Sequence, residues 1–569
     1  MSVRDLWRLL LAYALVLVAA CVVMHAHASL RVLPPSEQRI IVSRWSRGQL
    51  VERTVTNAGE KPPVKPEGDG TTVVHEVTVG EGPLSLDPRT FSYTLVAGRD
   101  GLVADLHGKT AWLTVDDLLA AQAYDHAVSF LDPSLGFGTH RATVISALAS
   151  QLGATVGEVE SEARVRRVRF ERHVVNELPP PRISADALDR EAVKAAVHDA
   201  AAYLARGVDE QGRFRYLVDA IHDQSLGGYS WPRHGGATYF LAQAAALFDD
   251  ATFRYACLRS AARLRDDMMK DCGANKCIAD GDDANVGSAA LALIAFTEIV
   301  RTGADESYRR PAVQLARFLR AQQRPDGELM HEFDLATGKP VDVQYMYFTG
   351  EASLALARAH RITGDPEDLR AASRALSRLS GQGWSFFGSR YYFNEEHWTC
   401  QAVADLWERA PDPDALAFCL RWHEYQQRLQ HEDGDSPFDA EGSFGFGPFI
   451  TPRVTPASSR GEAAAAALEV MTRDPSAGGG GGGAGGVGGG GGEKHARTAA
   501  LLDDELRRAI AFVARAQLRP GPRHLFAHPD EVRGAFPGSA IDLQLRIDYV
   551  QHAGSMMIRW LELTAPPRP

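Results

Sequence analysis

The C-terminal two-thirds of the chain alternates between two helical patterns. The first pattern is amphipathic: polar residues share one face, apolar residues recur at helical spacing on the other, and Asp or Pro stands near the start. We predict six such helices, each with one face toward solvent. They begin near residues 189, 249, 304, 365, 411 and 502.

The second pattern is smaller, rich in Ala and Gly, and apolar on every side, which is typical of a helix that is buried all round. Six such segments alternate with the amphipathic ones and begin near residues 235, 286, 349, 395, 459 and 550. The alternation predicts a double ring, an (α/α)6 toroid over 181–569, with the buried helices as its inner wall. An α-solenoid is the rival architecture, but it would repeat more evenly and would not need so apolar an inner set.

A glycine-rich run at 478–492 separates the fifth buried helix from the sixth amphipathic one. Such a run cannot bury apolar surface. It predicts a disordered insertion over 477–493.

The N-terminal third carries a different pattern. Short runs of β-branched and aromatic residues, bounded by Gly or Asp, occupy 71–180 and predict a small α+β domain that ends at a Pro-rich stretch, 176–182. Residues 29–70 mix charges, Pro and Gly, which predicts a linker. The whole chain is therefore expected to be mainly α.

Residues 1–28 begin with Arg4 and Arg8 and continue as an apolar run, the pattern of a targeting segment. Three outcomes fit this segment. It can remain as a single transmembrane anchor, be cleaved after Ala28 as a signal peptide, or be lipidated at Cys21 within a sequence that resembles a bacterial lipobox. Each outcome places the rest of the chain in the cell envelope, outside the cytoplasmic membrane, with the membrane as a partner of the N-terminus.

The charge composition bears on which classes of molecule the protein can bind. The net charge is −11, and no Lys/Arg-rich block interrupts the chain. This balance argues against a nucleic-acid partner.

The cysteines fit an oxidising compartment. Cys272 and Cys277 are close enough in sequence for a small disulfide loop. Cys257, Cys400 and Cys419 lie in helical patterns, where buried free thiols are expected. No pair of CxxC motifs is present, so a structural zinc site is not expected.

The alternation over about 185–565 resembles the six-hairpin glycosidase superfamily and the related toroids of sugar epimerases and terpene cyclases. The resemblance is one of architecture and carries over no family catalytic residue. It implies a polysaccharide or oligosaccharide bound in the central cavity, and it requires no metal and no cofactor.

Polar residues stand just before each buried helix, where a toroid of this kind gathers them over its central cavity. Aromatic rings there can stack on sugar faces, and Arg or His can hold a carboxylate. The candidate substrate-binding residues are Tyr229, Arg233, His234, Tyr345, Trp398, Arg460 and Tyr549.

Carboxylates and histidines at the same rim are candidates for catalysis, because glycoside hydrolysis uses two carboxylates and sugar epimerisation moves protons. The candidates are Glu351, Glu396, Asp283, His397 and His552.

Structural explanations compete with several of these roles. Glu351 can serve as a helix-dipole partner, His234 and His552 as hydrogen-bonded core histidines, and Arg460 as the ion-pair partner of Glu462.

Two short motifs resemble those of a different class of enzyme, the terpene cyclases. Residues 280–283 fit the DxDD of class II terpene cyclases, and 323–329 resembles their QxxDGxW repeat with Leu329 in place of Trp. The polar rim and the expected export argue against a hydrocarbon substrate.

The sequence therefore predicts an exported, membrane-tethered, carbohydrate-active enzyme, either a glycoside hydrolase or a sugar epimerase, acting on a polysaccharide. A non-catalytic glycan-binding or scaffold protein of the envelope is the alternative, because fold alone does not imply function. A terpene-cyclase-like protein is a minor alternative.

Overall fold

The computed structural model describes most of the chain: residues 3–30, 33–57, 71–88, 91, 95–124, 139–175, 183–383, 397–432, 440–445, 451–477, 490–519 and 523–565. The first element is helix α1 (Val3–Leu30), whose large apolar side chains between Leu6 and Val22 are exposed. Among the described residues, no helix combines the length and apolar character needed to cross a membrane.

The N-terminal domain is built on one antiparallel sheet in the order β2-β1-β3-β6-β4-β5. Its strands are β1 (Arg39–Ser46), β2 (Gln49–Asn57), β3 (Thr72–Pro83), β4 (Asp100–Leu106), β5 (Lys109–Leu113) and β6 (Arg164–Val174). Three short helices accompany it: α2 (Val115–Ala120), α3 (Arg141–Leu152) and α4 (Val156–Glu162).

This sheet corrects the predicted linker at 29–70, since β1 and β2 lie inside it. The two strands form a hairpin whose turn residues, Arg47 and Gly48, both have positive φ, as a tight hairpin turn requires. Charged residues within the strands and an Arg in the turn hid the hairpin from the sequence pattern. The part of the predicted linker at 58–70 lies outside the described residues.

The remainder of the described chain forms two sets of helices. The outer set is α5 (Arg190–Arg206), α7 (Ala251–Ala262), α9 (Arg309–Ala321), α11 (Pro366–Arg378), α13 (Pro413–Gln427) and α15 (Gly490–Ala516). The inner set is α6 (Trp231–Phe248), α8 (Val286–Arg301), α10 (Phe348–Thr363), α12 (His397–Leu406), α14 (Val454–Arg473) and α16 (Ile547–Leu563).

The inner helices close into a ring. Each packs against the next in chain order, and α16 packs back against α6. This closure excludes the α-solenoid. Inner helix α8 is buried on all sides, as its apolar pattern predicted, because every residue from Val286 to Val300 is buried. Outer helices begin at aspartates such as Asp189 and Asp365, whose carboxylates accept backbone N–H groups of the first turn.

Short strands fill the loops between helices: β7 (Leu217–Asp219), β8 (Gln224–Ser225), β9 (Met269–Cys272), β10 (Asn275–Asp280), β11 (Asp283–Asn285), β12 (Glu332–Asp334), β13 (Lys339–Val341) and β14 (Gln544–Arg546). A sheet in the order β14-β7-β8 joins the last hairpin to the first. It therefore fastens the two ends of the ring.

The segment that resembles a terpene-cyclase repeat is a structural clamp. Gln323 donates its side-chain N–H groups to the carbonyls of Gly327 and of Ala371 on the neighbouring outer helix. Gly327 has φ +92°, and a Cβ there would clash with the backbone of Arg374. Three further loop glycines are held against outer helices in the same way: Gly212, Gly442 and Gly534.

The predicted insertion at 477–493 lies mostly outside the described residues. Helix α15 already begins at Gly490, so the last residues of that prediction are helical rather than disordered.

Two disulfides are present. Cys272 and Cys277 close the β9–β10 hairpin. Cys400 and Cys419 join α12 to α13, which corrects the expectation of free thiols at these positions. Two helical cysteines on different helices reveal their pairing only once the helices are packed. Cys257 is free and buried, and Cys21 is free and exposed.

Candidate functional site

A buried cluster of two histidines and one carboxylate lies within the inner ring. His397 opens α12, Glu462 lies midway along α14, and His552 lies in the second turn of α16. His397 and Glu462 are almost completely buried, and the side chain of His552 is 11% exposed. Three separate inner helices thus bring these groups together.

The two histidines have different partners. His552 donates from Nδ1 to Oε2 of Glu462 at 2.7 Å, a bond that fixes its ring and leaves Nε2 available. His397 lies with its ring centre 5.2 Å from that of His552, and the two rings meet edge to face. Neither nitrogen of His397 has a hydrogen-bond partner among the described residues.

Aromatic packing holds the two rings in place. The ring of Trp398 lies 4.6 Å from that of His397 and 5.7 Å from that of His552. Trp398 is itself buried. Its ring therefore packs against the imidazoles and does not offer an open face on which a sugar could stack. Arg460 is also fully buried, with its guanidinium 4.9 Å from the ring centre of Phe444.

Burial disfavours the charged forms of His397 and Glu462. Burial lowers the pKa of His397 well below its usual 6.5, and the charges of His552 and Arg460 lower it further. Burial raises the pKa of Glu462, although His552 partly offsets this rise. His397 is therefore an uncharged imidazole at neutral pH and can accept a proton.

The same donors suit a metal ion. One ligand atom from each of His397, Glu462 and His552 lies within 4.8 Å of the other two. Two imidazoles and one carboxylate are a donor set that zinc-type ions use.

Two predicted residues, Arg233 and Tyr549, lie in a network of charged side chains at the rim. Asp548 binds Arg546 through two hydrogen bonds of 2.6 and 2.9 Å, and Arg233 lies 3.2 Å away. Burial raises the pKa of Asp548, but the two arginines outweigh burial and leave it lowered. Tyr549 lies beneath Arg546, with its ring centre 4.5 Å from the guanidinium.

His234 is a hydrogen-bonded core histidine. Its Nε2 bonds the carbonyl of Ser260 and its Nδ1 bonds the hydroxyl of Tyr229, at 2.9 and 2.7 Å. Burial lowers its pKa to about 4. His234 therefore positions Tyr229, and its own nitrogens are occupied.

The remaining predicted residues differ in their exposure. Asp283 is exposed at the β10–β11 turn, and Tyr345 is 46% exposed and bonded to Glu332. Glu351 is buried in the first turn of α10. Glu396 lies outside the described residues.

Glu462 is the one member of the cluster whose predicted ion-pair partner was a residue outside the cluster. It was expected beside Arg460, but its carboxylate bonds His552. The available signal was a carboxylate directly before a run of alanines, RGEAAAAA. Which partner it meets depends on how α14 is rotated against α16.

A polar cavity of about 600 Å³ reaches Glu462 from the C-terminal halves of the inner helices. Ion pairs line it, including Arg358 with Asp405 at 2.8 Å and Arg559 with Glu469 at 2.7 Å. This volume is in the range of small-molecule sites. The polar residues before the inner helices predicted a cavity at the opposite rim, where residues 384–396 lie outside the described part of the chain.

Comparison with known proteins finds no matching family model and no match among curated proteins. Solved structures do match. A D-mannose isomerase aligns with 68% of this chain and 99% of its own at 13% identity and a TM-score of 0.48. A cellobiose 2-epimerase from Bacillus thermoamylovorans aligns with 66% and 99% at 12% identity and a TM-score of 0.48. An unsaturated glucuronyl hydrolase specific for heparin aligns with 66% and 99% at 12% identity and a TM-score of 0.44.

Each of these structures aligns with about two-thirds of this chain. At these identities the likeness concerns the fold, and the chemistry has to be argued from the cluster itself.

Proposed function

We propose that the protein is a carbohydrate-active enzyme that moves protons on a sugar, as an epimerase or isomerase does, with the cluster as its reaction centre. The observation that carries this proposal is the pair of facing imidazoles, His397 and His552, with one uncharged and the other held by a carboxylate. A positioned imidazole is the side chain that most often takes or returns such a proton.

Each group has a distinct role in this reaction. His397 accepts a proton from the carbon next to the sugar carbonyl. His552 returns a proton, since the carboxylate of Glu462 stabilises the positive charge that its ring carries when protonated. Arg460, whose charge is felt at His397, stabilises the negative oxygen that develops when the carbon loses its proton.

Glycoside hydrolysis is the second candidate, and the burial of Glu351 favours it. Hydrolysis requires two carboxyl groups on either side of the scissile bond. Glu462 and Glu351 are buried carboxyl groups of inner helices α14 and α10. On this mechanism both are essential, whereas proton transfer between the imidazoles does not use Glu351.

One assay separates these reactions. The full chain is incubated with mono-, oligo- and polysaccharides, and both new reducing ends and new epimers or ketoses are followed by chromatography. Epimers or ketoses without new reducing ends support the proposal. New reducing ends that disappear in Glu351→Gln support hydrolysis, and binding without either product supports the glycan-binding alternative.

We also propose that the chain acts outside the cytoplasmic membrane. Two disulfides, Cys272–Cys277 and Cys400–Cys419, support this location because they persist in oxidising compartments. Labelling of intact cells with a thiol reagent before and after reduction tests it. Both pairs should be oxidised in the cell, and reduced thiols at all four positions would contradict export.

A further inference from the structure

We propose that the cluster of His397, Glu462 and His552 binds a zinc-type divalent cation, and that the bound ion inhibits the enzyme. The inhibitory part of this inference rests on the proposed function. The binding part rests on the donor atoms alone.

Several donor atoms of the cluster are buried and lack a hydrogen-bond partner among the described residues. Both ring nitrogens of His397 and Oε1 of Glu462 are buried without a hydrogen-bond partner among the described residues. Buried polar atoms nearly always have partners, and orphaned ones often mark the place of an ion or water. His397 is only 3% exposed, so bulk water does not satisfy it.

The geometry suits one ion. A tetrahedral zinc with bonds of about 2.1 Å needs donor atoms roughly 3.4 Å apart. The three donors already lie within 4.8 Å of one another, so small side-chain rotations close the set. Glu462 lies against Nδ1 of His552 at 2.7 Å, so an ion held by all three residues replaces the proton of this hydrogen bond and is bound by Nδ1 and the carboxylate together.

The donor types select the ion. Imidazole nitrogen suits Zn²⁺, Co²⁺ and Ni²⁺, whereas Mg²⁺ and Ca²⁺ prefer sites made of oxygen. Arg460 places one positive charge near His397 and opposes binding. We therefore expect micromolar rather than nanomolar affinity.

Inhibition follows from the shared atoms. An ion that takes the lone pairs of both imidazoles leaves neither free to accept or return a proton. The site is thus a switch in which metal and proton transfer exclude each other.

Titration of the full-length chain with Co²⁺ tests binding without any sugar. Tetrahedral Co²⁺ bound to nitrogen gives a visible absorption band, and calorimetry gives the stoichiometry. We expect one ion per chain, at least tenfold weaker binding in His397→Gln and Glu462→Gln, and unchanged binding in His528→Gln. His528 forms an exposed pair with Asp223 at 2.7 Å and serves as the matched control.

Two results would overturn the inference. The first is the absence of Co²⁺ and Zn²⁺ binding by the wild-type chain, which does not depend on whether any variant folds. The second is binding that survives in both cluster variants. If the chain binds Co²⁺ through the cluster but turns over no sugar, the metal site stands and the proposed activity fails. If an active enzyme binds Zn²⁺ at the cluster without losing activity, the switch fails and the activity stands.

Discussion

His397 and His552 are the same residue type with different chemistry, and their surroundings explain the difference. His397 is buried beside another imidazole and near Arg460, so the protonated, positively charged form of its ring is disfavoured. His552 donates from Nδ1 to the carboxylate of Glu462. A pair of titratable groups with such contrasting environments is the arrangement expected of an acid and a base.

The lowered pKa of His397 predicts how activity depends on pH. Because the base must be uncharged, kcat/KM should stay constant as pH falls through 6.5 and should decline only well below it. The profile of kcat/KM reports the free enzyme and is the measurement to make. An acidic limb centred at or above 6.5 would show that His397 is not the base.

Residue-level prediction from the sequence was uneven. His397 and His552 were predicted as catalytic residues, and the structure brings them together. Asp283 and Tyr345 were predicted from their place before an inner helix, yet both are exposed, whereas the cluster is buried. Position before a helix predicts which end of the ring a residue occupies. The direction of a loop side chain depends on the fold of that loop.

At the scale of elements, four loop glycines lie in close contact with the backbone of an outer helix. Gly327→Ala should destabilise the protein more than Gly338→Ala, because both glycines have positive φ but only Gly327 faces a backbone within contact range. Positive φ alone costs about 1 kcal/mol in a non-glycine residue. Urea unfolding of both variants measures the difference, and equal losses would mean that the close approach to Arg374 is unimportant.

The disulfide between α12 and α13 is expected to stabilise the element that carries His397. Cys400 and Cys419 enclose a loop with a sequence separation of 19, for which the entropic contribution is about 3 kcal/mol. The Cys400→Ser/Cys419→Ser double variant should therefore lower the Tm clearly. The matched control is Cys272→Ser/Cys277→Ser, with a separation of only 5. A larger loss in the control would contradict this assignment.

Elements were more predictable than sites. The alternation of amphipathic and apolar helices predicted the ring, because the spacing of apolar residues shows whether a helix is buried on one face or on all faces. The hairpin β1–β2 was missed because Arg39, Arg44 and Arg53 interrupt its strands. In the folded domain Arg44 pairs with Glu52 at 3.1 Å and Arg53 with Asp117 at 2.8 Å, and the spacing of residues in the sequence does not reveal such pairs.

At the scale of the whole molecule, a buried charge cluster joins the small domain to the ring. Asp116 of the small domain accepts a hydrogen bond of 2.7 Å from His524 of the ring. Burial, together with Asp116 and Asp117, raises the pKa of nearby Glu76 from 4.5 to about 8. The folded protein therefore holds a proton on Glu76 that the unfolded chain would release.

This proton makes stability depend on pH. Because the folded pKa lies above the unfolded one, the contribution of Glu76 is complete below pH 4.5 and is lost as pH rises through 8. Glu76→Gln should flatten this fall in the free energy of unfolding between pH 5 and 8.5. Parallel slopes in wild type and variant, measured by urea unfolding, would show that Glu76 is ionised in the folded protein.

The measurement that tests the central claim most directly is the incorporation of solvent deuterium into a sugar. A sugar that the full chain converts is incubated in deuterated water and followed by NMR at the carbon next to the carbonyl. The account predicts deuterium at that carbon with the wild type, a loss of 10²-fold or more in His397→Gln, as expected for removal of a general base, and little change in Glu351→Gln. Conversion without deuterium at any carbon, or full exchange in His397→Gln, would contradict it.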